Sequence, residues 1–253
     1  MKLEFQKIST AYGKKAVLED VSFAVESGTI TVLLGRNGVG KTTLLRCLTG
    51  RKKPERGEIL LDGQDATRLT PDQRSRMVAF LPQELPAPGV TVWELAAVGR
   101  APRLGLAGKL QKEDAQAVDA ALAAVGMETY AHRLVDSLSG GERKKAFLAM
   151  ILAQDTPLVV LDEPTAHLDA AGRFELLGLL ERLCRDTGKS FLVVMHELPE
   201  ALGFADRVAV LHEGGLAFHG TPEEFLAQGV AERCFGIRLW GDPQGGYTVL
   251  PLQ

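Results

Sequence analysis

Residues Ile30-Thr31-Val32-Leu33-Leu34-Gly35-Arg36-Asn37-Gly38-Val39-Gly40-Lys41-Thr42 decide the fold. The first five form an apolar run without alternation, flanked by glycines, as expected of a strand buried on both faces in a parallel sheet. Gly35 to Thr42 fits G-x-x-x-x-G-K-[ST], and Thr43 to Thr49 then reads as a helix closed by Gly50, with Pro54 beyond. Strand, glycine-rich loop and helix in that order predict a phosphate cradle. The glycines let successive backbone N–H groups point inward, Lys41 reaches the β and γ phosphates, and the Thr42 hydroxyl is placed for Mg²⁺. The helix adds its positive end.

Outward from this loop, Leu3 to Ile8, Val21 to Val25, Gly57 to Leu61 and Met77 to Leu81 read as strands, and residues 90–153 read mainly as helix. Strands return at Leu158 to Leu161, Phe191 to Met195 and Val208 to Leu211, with a helix from Arg173 to Arg185 between the first two. The order predicts an α/β sheet with a helical insertion, no internal repeat and no linker long enough to separate independent domains. Thr221, Pro222 and Glu224 open a short capped helix. The tail from Phe235 to Gln253, with Gly241, Asp242, Pro243, Gly245 and Gly246 as turn markers, is expected to be irregular.

Two further motifs carry chemistry. Asp162 and Glu163 follow the apolar run Leu158 to Leu161, at the carboxyl edge where open α/β sheets bind ligands. Asp162 suits the Mg²⁺ shell, which leaves Glu163 to accept a proton from an attacking water. In Leu138-Ser139-Gly140-Gly141-Glu142, Ser139 and Glu142 form a capping box ahead of a helix, and the two glycines leave N–H groups bare enough to receive an anion.

Composition bounds the rest. A chain of 253 residues with 45% hydrophobic and 24% charged residues has the means of a globular protein with a large core. Its net charge of -3 provides no general field for a polyanion, so nucleic acid is not an expected partner. The three cysteines, Cys47, Cys184 and Cys234, are far apart and read as buried small hydrophobes rather than a disulfide framework or zinc site. The opening residues lack the apolar core of a signal peptide, and Ala146 to Ala153, the longest strongly apolar stretch, is too short to span a bilayer. Arg51-Lys52-Lys53 and Arg143-Lys144-Lys145 read as solvated faces, the second placed where it could steer a polyphosphate.

Taken in order, these motifs resemble the ATP-binding subunit of an ATP-binding cassette (ABC) transporter over nearly the whole chain. The resemblance implies a P-loop NTPase core (1–83 and 156–235) with an N-terminal antiparallel β-subdomain, an inserted α-helical subdomain (84–155) and a C-terminal tail (236–253). It implies that Tyr12 stacks on adenine and that Gly35, Asn37, Gly38, Gly40, Lys41, Thr42 and Thr43 form Walker A. It makes Gln83 the Q-loop glutamine, at the magnesium site and the cleft for a permease helix. Leu138 to Glu142 becomes the signature, with Ser139, Gly140 and Gly141 binding nucleotide, Asp162 and Glu163 become Walker B, Thr165 to Asp169 the D-loop, and His196 a γ-phosphate contact. Glu142 departs from the family's usual signature glutamine, and His167 from the small polar residue common at its position.

In that family two subunits pack head to tail and bury two ATP molecules between Walker A of one and the signature of the other. The resemblance therefore implies a homodimer using ATP and Mg²⁺, bound to transmembrane permease subunits on the cytoplasmic face of the membrane and served indirectly by a substrate-binding protein. Thr91 to Leu95, Val98 to Pro102 and the tail around Cys234 to Ile237 resemble the iron-siderophore, haem and cobalamin uptake subfamily. A cassette ATPase of cofactor assembly, or an importer of another substrate class, remains open from sequence. A small-molecule kinase on the same P-loop leaves the signature unexplained.

Overall fold

The computed structural model describes residues 1–104, 108–241 and 246–251. In chain order the strands are β1 (Leu3–Tyr12), β2 (Lys15–Val25), β3 (Ile30–Leu34), β4 (Arg56–Leu61), β5 (Gln64–Asp65), β6 (Val78–Leu81), β7 (Leu158–Asp162), β8 (Ser190–Val194), β9 (Arg207–His212), β10 (Gly215–Gly220), β11 (Ile237–Gly241) and β12 (Tyr247–Pro251). The helices are α1 (Lys41–Leu48), α2 (Pro71–Ser75), α3 (Val92–Val98), α4 (Lys112–Ala124), α5 (Gly140–Gln154), α6 (Ala170–Thr187), α7 (Leu198–Phe204), α8 (Pro222–Ala227) and α9 (Val230–Phe235). They fall into two compact units, Met1–Leu69 with Gly188–Gln253, and Thr70–Thr187. The second is inserted into the first without linkers, and it is longer than the helical stretch 84–155 because it includes β6, β7 and α6.

In the first unit, β2, β1, β4 and β5 make an antiparallel sheet. Leu3, Phe5, Ile8 and Thr10 of β1 are all buried, although the step from Phe5 to Ile8 breaks the alternation. A register shift there, with Lys7 at φ 53°, absorbs the extra residue, and Asp20 at φ 51° does the same in β2. The Ser22 hydroxyl accepts the Lys7 N–H at 2.8 Å and the Ser9 hydroxyl that of Asp20 at 3.0 Å. Because of these bulges the strands run beyond the segments that strict alternation marks, to Tyr12 in β1 and from Lys15 in β2.

The second sheet of this unit centres on β3, which pairs in parallel with β8 and β9, while β10 returns antiparallel to β9. Every residue of β3 and β8 is buried, as their unbroken apolar runs require. The Asp206 carboxylate accepts the Ile30 N–H at 2.8 Å and fixes where β3 begins. β10 lies after Glu213 and Gly214, both at positive φ, and its glycines hide it from a search for strand formers.

The tail corrects the expectation of irregular chain. β11 and β12 pair antiparallel from Ile237↔Pro251 to Gly241↔Tyr247. Their alternation is short and bracketed by turn residues, which obscured it; Asp242, Pro243 and Gly245 lie outside the described residues.

In the second unit β6 and β7 run parallel in the register Leu81↔Leu161, and α5 packs against α3 and α4. The carboxyl end of α5 is held by side chains. Arg100 donates to the Ala153 carbonyl at 2.8 Å and to Asp114 at 2.9 Å, and Arg103 donates to the Asp155 carbonyl at 2.6 Å. Cations there also oppose the negative end of the helix. The Gln111 N–H and the Arg100 guanidinium hold the Asp114 carboxyl below its ordinary range. Among the described residues no helix is long and apolar enough to cross a membrane.

Candidate nucleotide site

The loop after β3 has a backbone that only its own residues allow. Gly35 sits at φ 151°, and a Cβ there would lie 2.6 Å from the Leu211 carbonyl oxygen; at Gly40, φ 115°, it would lie 2.5 Å from a Leu18 methyl carbon. Gly40 is the N-cap of α1 and provides no side-chain cap, and the first turn carries no acid. The first N–H groups of α1 are therefore presented to an anion rather than to the protein's own side chains. Lys41 is buried, and its ammonium donates to the carbonyls of Gly35 at 2.6 Å and Arg36 at 3.3 Å, folding back over the loop it serves. Asn37, Gly38 and Thr42 are exposed and Thr43 is buried.

Two more predicted residues belong to this unit. The Met195 N–H donates to the Leu33 carbonyl, so His196 emerges at the same end of the sheet as Gly35 and is exposed. Tyr12 ends β1 with its ring 48% exposed. Arg46 donates to its hydroxyl at 3.1 Å, and the Lys52 ammonium stands 4.3 Å from the ring centroid while donating to the Ala11 carbonyl. The Arg46 hydrogen bond is the main reason that the phenol titrates below its ordinary range. The cation above the ring is attracted by its electron-rich face.

The second unit brings Gln83, Asp162 and Glu163 to one strand edge. Asp162 closes β7 and is buried, and Gln83 follows β6, its parallel neighbour. The Gln83 amide donates to the Glu163 carboxylate at 2.6 Å, joining positions far apart in sequence. Glu163 has φ 52° and His167 φ 63°, left-handed conformations that cost a non-glycine residue about 1–3 kcal/mol and persist where the surroundings impose them. His167 is exposed.

The signature heads α5 as a complete capping box. The Ser139 hydroxyl accepts the Glu142 N–H at 3.3 Å, and the Glu142 carboxylate accepts the Ser139 N–H at 2.8 Å. That second bond is the first cause holding the Glu142 carboxyl below its ordinary range, so the residue that departs from the family pattern is a negatively charged cap. A Cβ on Gly140 would meet nothing within 4 Å, which leaves the backbone N–H of the first turn approachable.

The cluster Arg143-Lys144-Lys145 departs from the solvated face expected of it. Lys145 pairs with Glu175 at 2.6 Å, and Lys144 is buried, its ammonium donating to the carbonyls of Pro164 at 2.6 Å and of Ala166. A signal for this existed in the sequence. Lys144, Phe147, Leu148 and Ile151 share one helical stripe, so a cation stands in line with the core positions of α5. Burial pushes the Lys144 ammonium below its ordinary pKa, and the three cysteines are buried as expected.

No cluster of three or more His, Cys, Asp or Glu forms a metal cage among the described residues. Asp162 and Gln83, which lie at the ends of neighbouring parallel strands, are oxygen donors of the kind that suits Mg²⁺, an ion that takes few protein ligands and completes its shell with phosphate and water.

A buried parallel strand, a glycine-rich loop opening a helix, and an acidic pair after a second strand define a P-loop nucleotide-binding cassette. The ABC transporter family model matches residues 18–166, and the chain belongs to that family. It is accordingly an ATP-binding cassette ATPase. The chain is 37% identical to the ferric enterobactin transport ATP-binding protein FepC of Escherichia coli strain K12 over 99% of its own length and 94% of that protein's. It is 36% identical to the iron(3+)-hydroxamate import ATP-binding protein FhuC of Bacillus subtilis strain 168, over 93% and 88% of the respective lengths. Among solved structures, cbiO1 of Clostridium perfringens, part of the ABC transporter complex cbiONQ, matches with a TM-score of 0.79 and 26% identity over 91% of this chain and 92% of that one. A nucleotide-free ATP-binding cassette from an ABC transporter shares the fold with a TM-score of 0.82 at 23% identity, over 96% and 97%.

Proposed function

We propose that the chain is the ATP-hydrolysing subunit of an importer for iron chelates of the siderophore kind, working as a homodimer on transmembrane permease subunits at the cytoplasmic face of the membrane. The relatives named for ferric enterobactin and iron-hydroxamate import support the cargo class. A substrate-binding protein delivers that cargo, and the helical stretch 84–155 serves as the subdomain that meets the permease.

Tyr12 stacks on adenine, while the N–H groups from Gly35 to Thr43 and the Lys41 ammonium neutralise the β and γ phosphates. Ser139, Gly140 and Gly141 of a second copy close on the same γ phosphate, and His196 hydrogen-bonds to it. Thr42, Asp162 and Gln83 hold Mg²⁺, which when bound offsets charge developing on the phosphate oxygens. Glu163 takes a proton from the attacking water as its oxygen bonds to the γ phosphorus and the bond to the bridging oxygen of ADP breaks. The products are ADP and phosphate.

The observation that carries this reading is the 2.6 Å bond from Gln83 to Glu163, which sets the Q-loop amide on the carboxylate assigned as base. Glu163→Gln is expected to bind ATP with unchanged affinity, to hydrolyse it about 100-fold more slowly or worse, and to accumulate an ATP-dependent dimer in size-exclusion chromatography. Phosphate release near the wild-type rate would overturn the assignment.

A further inference from the structure

Lys144 is a charged side chain in an apolar place. It is 8% exposed, and among the described residues its ammonium meets no carboxylate. Its partners are two backbone carbonyls, of Pro164 and Ala166, which flank the buried Thr165. A buried ammonium without a counter-ion is costly, and carbonyl dipoles recover only part of its lost hydration, so a neutral residue would serve packing better.

What those carbonyls belong to gives the arrangement its meaning. Pro164 directly follows Glu163, Ala166 directly precedes His167, and Glu163 and His167 are the two left-handed residues of this segment. The Ala166 N–H closes back onto the Glu163 carbonyl at 3.1 Å, and the Leu168 N–H onto that of Thr165 at 3.2 Å. The segment is thus a pair of tight turns whose inward carbonyls converge on one ammonium. Gln83 holds the Glu163 side chain, while Lys144 holds the backbone that carries it.

We propose that Lys144 is a positioning residue for hydrolysis: from the signature helix it fixes the Glu163–His167 turns, so that the Glu163 carboxylate stays aimed at the water it deprotonates. The proposal rests on the reading of Glu163 as the base. Lys144 reaches the backbone on either side of Thr165 and acts through the Glu163 that this backbone carries.

The test is steady-state ATPase kinetics of the full chain with Lys144→Met, which keeps length and removes the donor, beside Lys144→Arg, which keeps donors. Displacing a general base by about 1 Å costs on the order of 10- to 100-fold in turnover. Lys144→Met is therefore expected to lose at least about tenfold in kcat with KM for ATP unchanged, and Lys144→Arg to recover part of the loss. In the Glu163→Gln background, adding Lys144→Met is expected to leave the residual rate unaltered, since the group it positions is gone. Wild-type kcat in Lys144→Met, or an equal proportional loss in the Glu163→Gln background, would overturn the proposal. Should the methionine variant not fold, Lys144→Gln reads the same quantities, and an unchanged kcat there would count against it equally. Full activity of Glu163→Gln alone would instead remove the underlying assignment of the base.

Discussion

The amino termini of α1 and α5 are both suited to an anion, and they are prepared in opposite ways. α1 begins on Gly40 with no side-chain cap and no acid in its first turn, and a buried lysine folds over the loop before it. α5 begins on a closed capping box whose glutamate carries negative charge. The first leaves its end groups without a side-chain cap, whereas the second is a finished helix end that still offers the N–H groups of two glycines. The difference fits the two roles proposed above: a site that grips triphosphate tightly, and a site that engages only when two copies meet.

The largest contrast is expected from the lysine. Lys41→Ala removes a cation from the β and γ phosphates and should weaken ATP binding by about 100-fold or more, since charge-assisted bonds of this kind are each worth about 1.5–3 kcal/mol and Lys41 reaches two phosphates; calorimetric titration reads this directly. At α5 the corresponding change is milder. Ser139→Ala should lower stability by about 1 kcal/mol through the lost cap, measured by urea unfolding, and should reduce turnover while ATP binding to the monomer stays intact.

The other end of α5 is tied through Arg100 to a titrating group on α4. Asp114 has a depressed carboxyl pKa in the folded chain, so it stabilises the protein above the ordinary carboxylate range and loses that contribution as pH falls through its folded value. Thermal unfolding of wild type and Asp114→Asn should therefore differ most at neutral pH and converge in acid. The smallest effect belongs to Glu142→Gln. The amide oxygen preserves the bond from the Ser139 N–H, and removing one negative charge near the proposed γ-phosphate contact should lower KM for ATP by about twofold; a large loss of turnover would mean that the charge is itself required.

Much of this was legible in the sequence, and the part that was not has physical causes. The P-loop, the acidic pair and the signature are local patterns whose chemistry depends on neighbours in the chain, so Gly35 to Thr42, Asp162 to Glu163 and Ser139 to Glu142 stood out. Tyr12, Gln83 and His196 are single residues with no local pattern, and only the resemblance singled them out. Strand limits failed at Lys7 and Asp20, where bulges break the period of two, and the β11–β12 hairpin was masked by its turn residues. Lys144 and Lys52 were read as solvated charge because the carbonyls they bind are distant in sequence and backbone groups leave no trace in composition. Lys144 alone had a visible clue, its place on the apolar stripe of α5.

Whether the two helix ends serve one ATP from different copies is most directly tested by mixing two inactive chains. Lys41→Ala disables α1 and Gly140→Asp disables α5, and neither variant alone should hydrolyse ATP. If each site joins α1 of one copy to α5 of the other, a mixed dimer holds one doubly damaged site and one intact site. An equimolar mixture should then recover about a quarter of wild-type turnover, since half the dimers are mixed and half of their sites are whole. A mixture as inactive as its parents would contradict the shared site and place both helix ends at the nucleotide of a single chain.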